Sequence, residues 1–422
     1  MEFVRISLAV ALTLIATVLP SMAQNPATTA MDMPAPPSRW HFMQDAVVFG
    51  MFNDQGGPRG GDEFKVPNWW MGMASRKVGS SQLTFNTMFS LDPATLDKKG
   101  YREIFQVGET ADGHPLVDRQ HPHDFFMQLA AVWRVPVTAR TGFTLAGGPV
   151  GEPALGPVAF MHRASAAEIP LAPLSHHTFD SSHIAFGVIT AAVDRGPWVV
   201  EASAFNGREP DEHRWDFDFG RLDSASARVW FRPRPQWEFQ VSSARLTDPE
   251  ELEPGNLTRT TASGSWFKQR GNDFTALTAA YGVNEAHETK RHAYLLEATH
   301  HWRRTSIFTR AEVVDVETSK LLGDSTVSEH DESRTDRVGA LMLGAVLDLV
   351  TWRGFAGGIG AAVTAYDVPG AFKTTHGSRP VSYQVFFRLR PPAGSMGRMW
   401  NMRMSQPMKP AAADPHAGHQ MD

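Results

Sequence analysis

Histidine and carboxylate gather in two stretches of this chain in a way that suits metal coordination. The first carries His114, His121, His123 and Asp124; the second carries His176, His177, Asp180 and His183, with His162 between them. Imidazole with carboxylate suits zinc, copper or nickel, and the His121-Pro122-His123 step presents two rings without needing a helix. No His-Glu-x-x-His spacing accompanies them. The same residues therefore have a second reading, in which they pin long loops by hydrogen bonds while Pro115 and Pro122 stiffen the turns. Ser175 beside His176 and Asp180 invites comparison with a nucleophile and its base, but a triad is a matter of geometry and not of nearness in sequence. There is no Gly-x-Ser-x-Gly elbow, and with no cysteine among 422 residues there is no thiolate. Enzymatic activity is not expected. Asp211, Glu212, Asp216 and Asp218 form an acidic, aromatic-flanked segment that could hold calcium, although it lacks the EF-hand spacing and reads equally as a solvated loop.

The composition changes after Arg390. Met396, Met399, Met402, Met404 and Met408 are followed by His416 and His419, and Met31 and Met33 repeat the theme near the start. Thioether and imidazole are copper ligands, Cu(I) above all. These segments resemble the Met- and His-rich tails of bacterial copper-resistance proteins of the periplasm and outer membrane. The resemblance, confined to the tails, implies Met399, Met402, Met404, His416 and His419 as copper ligands. The alternative is a disordered polar end in which methionine is incidental.

The elements that must position the central histidines are strands. In Val381 to Arg390, Val381, Tyr383, Val385, Phe387 and Leu389 alternate with Ser382, Gln384, Phe386, Arg388 and Arg390. Period-two alternation turns successive side chains to opposite faces, here one toward lipid and one toward a wet lumen. Similar alternation places strands near 40–52, 66–78, 81–91, 124–135, 139–147, 183–193, 197–207, 223–232, 236–246, 257–268, 273–284, 290–302, 305–316, 336–350, 354–366 and 380–390. Short turns after residues 78, 135, 193, 232, 268, 302 and 350 alternate with longer loops at 53–65, 92–123, 148–182, 208–222, 247–256, 285–289, 317–335 and 367–379. A soluble sandwich has no reason to keep that parity, whereas outer-membrane barrels have short periplasmic turns and long external loops. Tryptophans near strand ends, among them Trp69, Trp133, Trp198, Trp230, Trp237, Trp302 and Trp352, fit an interfacial girdle.

This pattern resembles that of bacterial porin-like outer-membrane β-barrels. The resemblance implies an all-β, antiparallel up-and-down barrel of about sixteen strands, with both termini periplasmic. The aromatic-rich strand 381–389 is similar to the terminal strand by which such barrels are recognised, which implies the barrel-assembly machinery as a partner and outer-membrane lipid as the surroundings. Residues 340–346 and 358–362 are rich in glycine and alanine, and if they face inward they leave room for the 148–182 loop to pack into the lumen. Arg228, Arg259, Arg310, Arg388 and Arg390 are expected on inner faces with Glu238, Glu297 and Glu312.

Residues 1–23 show charge, then an apolar run, then Ser21 and Ala23, the order of a secretory signal peptide; 24–39 is then a periplasmic segment, 40–390 the barrel and 391–422 a disordered periplasmic tail. A formal net charge of -5 leaves no basic stripe to displace phosphate counterions, so a nucleic-acid partner is excluded. The expectation is an outer-membrane protein of a Gram-negative-type bacterium that conducts or binds a small solute, with a link to copper or another metal and with copper or zinc as the ion. The competing expectation is a secreted, soluble, β-rich metalloprotein or metalloenzyme that uses the histidine cluster.

Overall fold

A computed structural model describes residues 40–395 apart from 252–254, 287–288 and 324–333. The expected signal peptide, the 24–39 segment and the tail methionines and histidines, including Met399, Met402, Met404, His416 and His419, lie outside the described residues. The strands are β1 (His41–Gln55), β2 (Gly61–Lys65), β3 (Asn68–Val78), β4 (Ser81–Phe89), β5 (Tyr101–Ala111), β6 (His114–Gln120), β7 (Phe126–Thr138), β8 (Thr141–Gly151), β9 (Ala185–Arg195), β10 (Trp198–Phe205), β11 (Ser224–Arg234), β12 (Trp237–Thr247), β13 (Asn256–Arg270), β14 (Asp273–Ala286), β15 (Thr289–Trp302), β16 (Thr305–Glu317), β17 (Thr335–Trp352), β18 (Phe355–Asp367) and β19 (Val381–Arg390).

Seventeen of these strands share one sheet. Because β2 and β3 are consecutive pieces of one stave along β1, the sheet has sixteen staves, all antiparallel. It closes where β1 meets β19, with Val48 opposite Leu389 and Asp54 opposite Tyr383. Closure pairs every edge, the only way a sheet can satisfy its backbone in hydrocarbon. Each strand placed from the sequence is present as a stave. No described helix is long and apolar enough to cross a membrane.

The two faces follow from side-chain alternation. On β19 the outward residues Val381, Tyr383, Val385 and Phe387 are exposed, while Ser382, Gln384, Phe386 and Arg388 are buried. On β10, Trp198, Val200, Ala202 and Ala204 face out, with Val199, Glu201, Ser203 and Phe205 facing in. Exposed apolar side chains on the outward faces of a closed barrel, as on β10 and β19, are what a lipid-facing wall requires. Trp133, Trp198, Trp237, Trp302 and Trp352 are exposed near the short-turn rim and form a girdle there. Trp69 and Trp230 depart from the girdle: both face inward and are buried, with Trp230 donating Nε1–H to Glu201.

The lumen is crossed by the chain itself. Residues 152–184 leave β8, fold inward and return to β9, and nearly all of them are buried. This segment is rich in alanine, leucine, proline and phenylalanine, a composition with no reason to stay in water. Polar anchors fix it to opposite walls. Gly156 N donates to Ser242 on β12, and Arg228 on β11 donates to the carbonyls of Leu155 and Gly156. Arg163 pairs with Asp180 at 2.8 Å and with Glu297 on β15 at 3.0 Å. Glu168 meets Arg388 and Arg390 of β19, each at 2.7 Å. Apolar packing joins Ile169, Leu171 and Ala172 to a cluster containing Phe308, Met342, Val346, Ala362 and Phe386, the inward wall expected to be small-residue-rich. The inner-face arginines and glutamates are indeed buried and in part serve as these anchors.

The 92–123 segment, expected as a long loop, holds the β5–β6 hairpin. Its turn is Asp112-Gly113, with φ of 57° and 72°, the left-handed pair that a two-residue hairpin turn requires. The hairpin leans on the inserted segment: Ala172 N donates to the Tyr101 hydroxyl at 2.8 Å, and Gln106 donates to the Pro173 carbonyl at 3.2 Å.

Candidate metal centre in the barrel mouth

The link from β6 to β7 carries His121 and His123, and the last turns of the inserted segment carry His176 and His183. A short helix, His176–Phe179, places His176 one turn before Asp180, and a 3-10 turn, Ser181–His183, brings His183 back over the same aspartate. Asp180 is thereby shared. His176 donates Nδ1–H to its Oδ1 at 2.8 Å, and His183 donates Nδ1–H to its carbonyl at 2.6 Å. Arg163 and the Phe160 amide hold its other carboxylate oxygen.

The other two rings are held the same way from a different loop. His123 donates Nδ1–H to Asp92 Oδ2 at 2.7 Å. His121 Nδ1 lies 3.1 Å from Glu109 Oε1 and 3.2 Å from the Pro122 carbonyl. Each of the four histidines thus has Nδ1 engaged by a carboxylate or carbonyl. In each, Nε2 is buried without a hydrogen-bond partner. That is the arrangement of metal-ligating histidines, whose second nitrogen is fixed by an outer partner while the first keeps its lone pair. Burial holds the His121, His176 and His183 imidazoles below their ordinary range, opposed at His176 and His183 by Asp180.

Ring centroids are 5.9 Å apart for His121 and His176, 5.4 Å for His176 and His183, and 5.6 Å for His123 and His183. Two rings sharing one zinc at a Zn–N distance of about 2.1 Å have centroids about 5 Å apart in tetrahedral geometry. The rings are thus near coordination spacing while their nitrogens have yet to converge. Among the described residues, the trio of donor atoms that does lie within 4.8 Å is Asp211, Asp216 and Asp218, in the loop after β10. The expected acidic segment is therefore assembled in space, at the surface.

Of the remaining sequence candidates, His177 stays beside the four, its Nε2 also buried without a hydrogen-bond partner, while Asp124 and His114 are directed elsewhere. His177 sits beside His121 and His176, with centroids 5.5 and 5.3 Å away, and its Nδ1 is 3.4 Å from Glu209. Its ring lies against Gly108, where a Cβ would come within 2.3 Å of Cε1, so only glycine permits the approach. Asp124 turns to Arg214, 3.2 Å away, and ties down the 206–223 loop; burial pushes its carboxyl up to about 7 against the pull of Arg214. His114 stands exposed at the start of β6 by the hairpin turn and is not part of the cluster. His162, buried, has an unpartnered Nδ1, and its ring stacks edgewise on Trp69 at 5.1 Å. Asp92, Glu109 and Glu209, which orient the rings, had no signal in the sequence, because Asp92 and Glu109 reach the histidines only when the β4–β7 connection folds back on itself and Glu209 comes from the loop after β10.

No protein-family model matches the chain, and no curated protein does. Solved structures do. The chain is similar to Pseudomonas putida OprB at high pH, with a TM-score of 0.53 and 10% identity over 83% of this chain and 94% of that one. It is similar to the anion-selective porin from Comamonas acidovorans, with a TM-score of 0.50 and 10% identity over 83% of this chain and 100% of the porin. It is also similar to Salmonella typhi OmpF in complex with daunomycin, with a TM-score of 0.50 and 6% identity over 83% and 97% of the two chains. The likeness lies in the fold. The chain forms a closed sixteen-stave barrel of porin-like fold.

Proposed function

We propose that the solute handled by this porin-like barrel is a transition-metal cation, bound at the mouth by His121, His123, His176 and His183. The observation that carries the reading is the set of four buried Nε2 atoms without partners, each on a ring whose Nδ1 is already held. A buried lone pair left unmatched is costly, and a cation with Asp180, Asp92 and Glu109 behind its ligands compensates it. Borderline ions that accept imidazole, Zn(II) and Cu(II), suit the donor set. The inserted 152–184 segment supplies two of the ligands, so the site joins the segment to the β6–β7 link. The 152–184 segment lies across the lumen, and a bound cation at this junction is placed to influence how it is seated. Nothing in the donor set calls for bond-making chemistry, and the proposed role is binding and passage.

Equilibrium dialysis of the detergent-solubilised full chain against Zn(II) tests the reading. The His121→Ala, His123→Ala and His176→Ala variants are each expected to lose the tightest zinc equivalent while keeping heat-modifiable migration. If all three bind zinc as the parent chain does, the histidines serve only to pin the loops.

A further inference from the structure

We propose that the lumen wall inside the histidines carries a second, softer site, in which the thioethers of Met43, Met71, Met73 and Met88 and the amide oxygen of Asn86 take a Cu(I) ion. Period-two alternation on three adjacent staves sends these side chains to the same inner face. Register then sets them in two rows: Met43 on β1 faces Met73 on β3, which faces Asn86 on β4, and Asp45 on β1 faces Met71, which faces Met88. Directly opposed residues on one face of an antiparallel sheet have Cβ atoms roughly 4.5–5.5 Å apart, within joint reach of flexible methionine side chains. Met71, Met73 and Met88 are buried, and Met43 is partly buried.

Packing alone accounts for methionine, which fills irregular gaps. It does not account for Asn86. This side chain is 4% exposed, and its Oδ1 has no hydrogen-bond partner. An amide oxygen unpartnered among sulfur donors is what a cation would satisfy. Thioethers select soft ions, Cu(I) in preference to Zn(II), and the mouth histidines suit the harder state. The inserted segment reaches this wall: Trp69, two residues before Met71 on the same face, packs on His162, and Met161 and Phe160, the latter stacked on His123, belong to the same cluster as Met71, Met73 and Met88. Asp92, which orients His123, follows Met88 by four residues. The ion binds as Cu(I), and no change of oxidation state is involved.

The inference rests on the reading that the solute is a metal ion, and the probes separate the two. Ag(I), a redox-inert soft cation, reports the thioether site, and Zn(II) reports the mouth. The full chain in detergent is compared with its M43L/M71L/M73L/M88L variant, in which leucine keeps the side-chain volume; any Ag(I) on the tail methionines is common to both and cancels. The variant is expected to lose one bound Ag(I) per chain while keeping Zn(II) binding and heat-modifiable migration. Unchanged Ag(I) stoichiometry overturns the thioether site and leaves the histidine reading standing. Loss of Ag(I) from the leucine variant in a protein whose histidine variants keep zinc supports the thioether site and removes the mouth site instead. Should the quadruple variant fail to fold, Asn86→Leu decides: weakened retention of that Ag(I) supports the site, and unchanged retention overturns it.

Discussion

Replacing Glu168 with alanine should unseat the inserted segment and raise conductance through the barrel. Glu168 is completely buried and accepts from Arg388 Nη1 at 2.7 Å, from Arg390 Nη2 at 2.7 Å and Nε at 3.2 Å, and from the Ser306 hydroxyl at 2.7 Å. Without it Arg388 keeps Asp348, but Arg390 keeps no carboxylate, only the Pro391 carbonyl and the face of the Phe274 ring. Removing one partner of a buried pair costs about 3–5 kcal/mol, because the remaining charge is left in a low-dielectric site. Every lost contact runs between the segment and the wall, and none holds one stave to the next. The cost therefore falls on seating, where it equals roughly two to four powers of ten in the equilibrium constant. Single-channel recording in planar bilayers reads this directly: the parent chain is expected to be mostly closed, Glu168→Ala to open frequently, and Glu168→Gln to fall between. Parent-like conductance from a Glu168→Ala protein with normal heat-modifiable migration would refute the argument that this ion cluster holds the segment in the lumen.

Leu343→Arg and Val385→Arg, both on the exposed outer face, should cost about 2–4 kcal/mol each if they lie near the midplane, and Trp352→Arg at the short-turn rim roughly 0–1; urea titration of folding into vesicles measures the difference, and equal losses contradict the facing assignment. Asp92→Asn weakens the partner of His123, so zinc affinity should fall about 10–100-fold with no loss of the barrel, as read by chelator competition. Gly108→Ala should displace the His177 ring and destabilise the mouth by about 1–3 kcal/mol, measured as a lowered melting temperature; an unchanged one shows that the contact yields freely.

The staves were legible because their signals are local. Alternation and turn spacing fix which residues face lipid, and all sixteen expected staves pair in the closed sheet. The β5–β6 hairpin was also locally encoded, in Asp112-Gly113, but its strands lack a clean alternation: Glu103, Ile104, Phe105 and Gln106 are buried in succession because the hairpin lies inside the mouth and not in the wall. The expected loop at 285–289 is hardly one, since pairing of β14 with β15 continues to Ala286 and Thr289. The chain after Arg390, expected to be disordered, begins with a short ordered turn whose Ala393 carbonyl accepts from Gln269. The histidines were visible as residue types, but their assembly was not. His123 needs Asp92, and His121 needs Glu109, contacts that exist only once the long β4–β7 connection has folded back on itself over the barrel. His114 shows the converse, a histidine close in sequence that the hairpin carries away from the cluster.

In the proposed site the four buried imidazoles share one metal ion. Zinc-edge anomalous diffraction from crystals of the full chain grown with Zn(II) tests it most directly. An anomalous peak is expected about 2.0–2.1 Å from the Nε2 atoms of His121, His123, His176 and His183, with Nδ1 of each still on its carboxylate or carbonyl. A peak confined to Asp211, Asp216 and Asp218, or none in the mouth at saturating zinc, would contradict it.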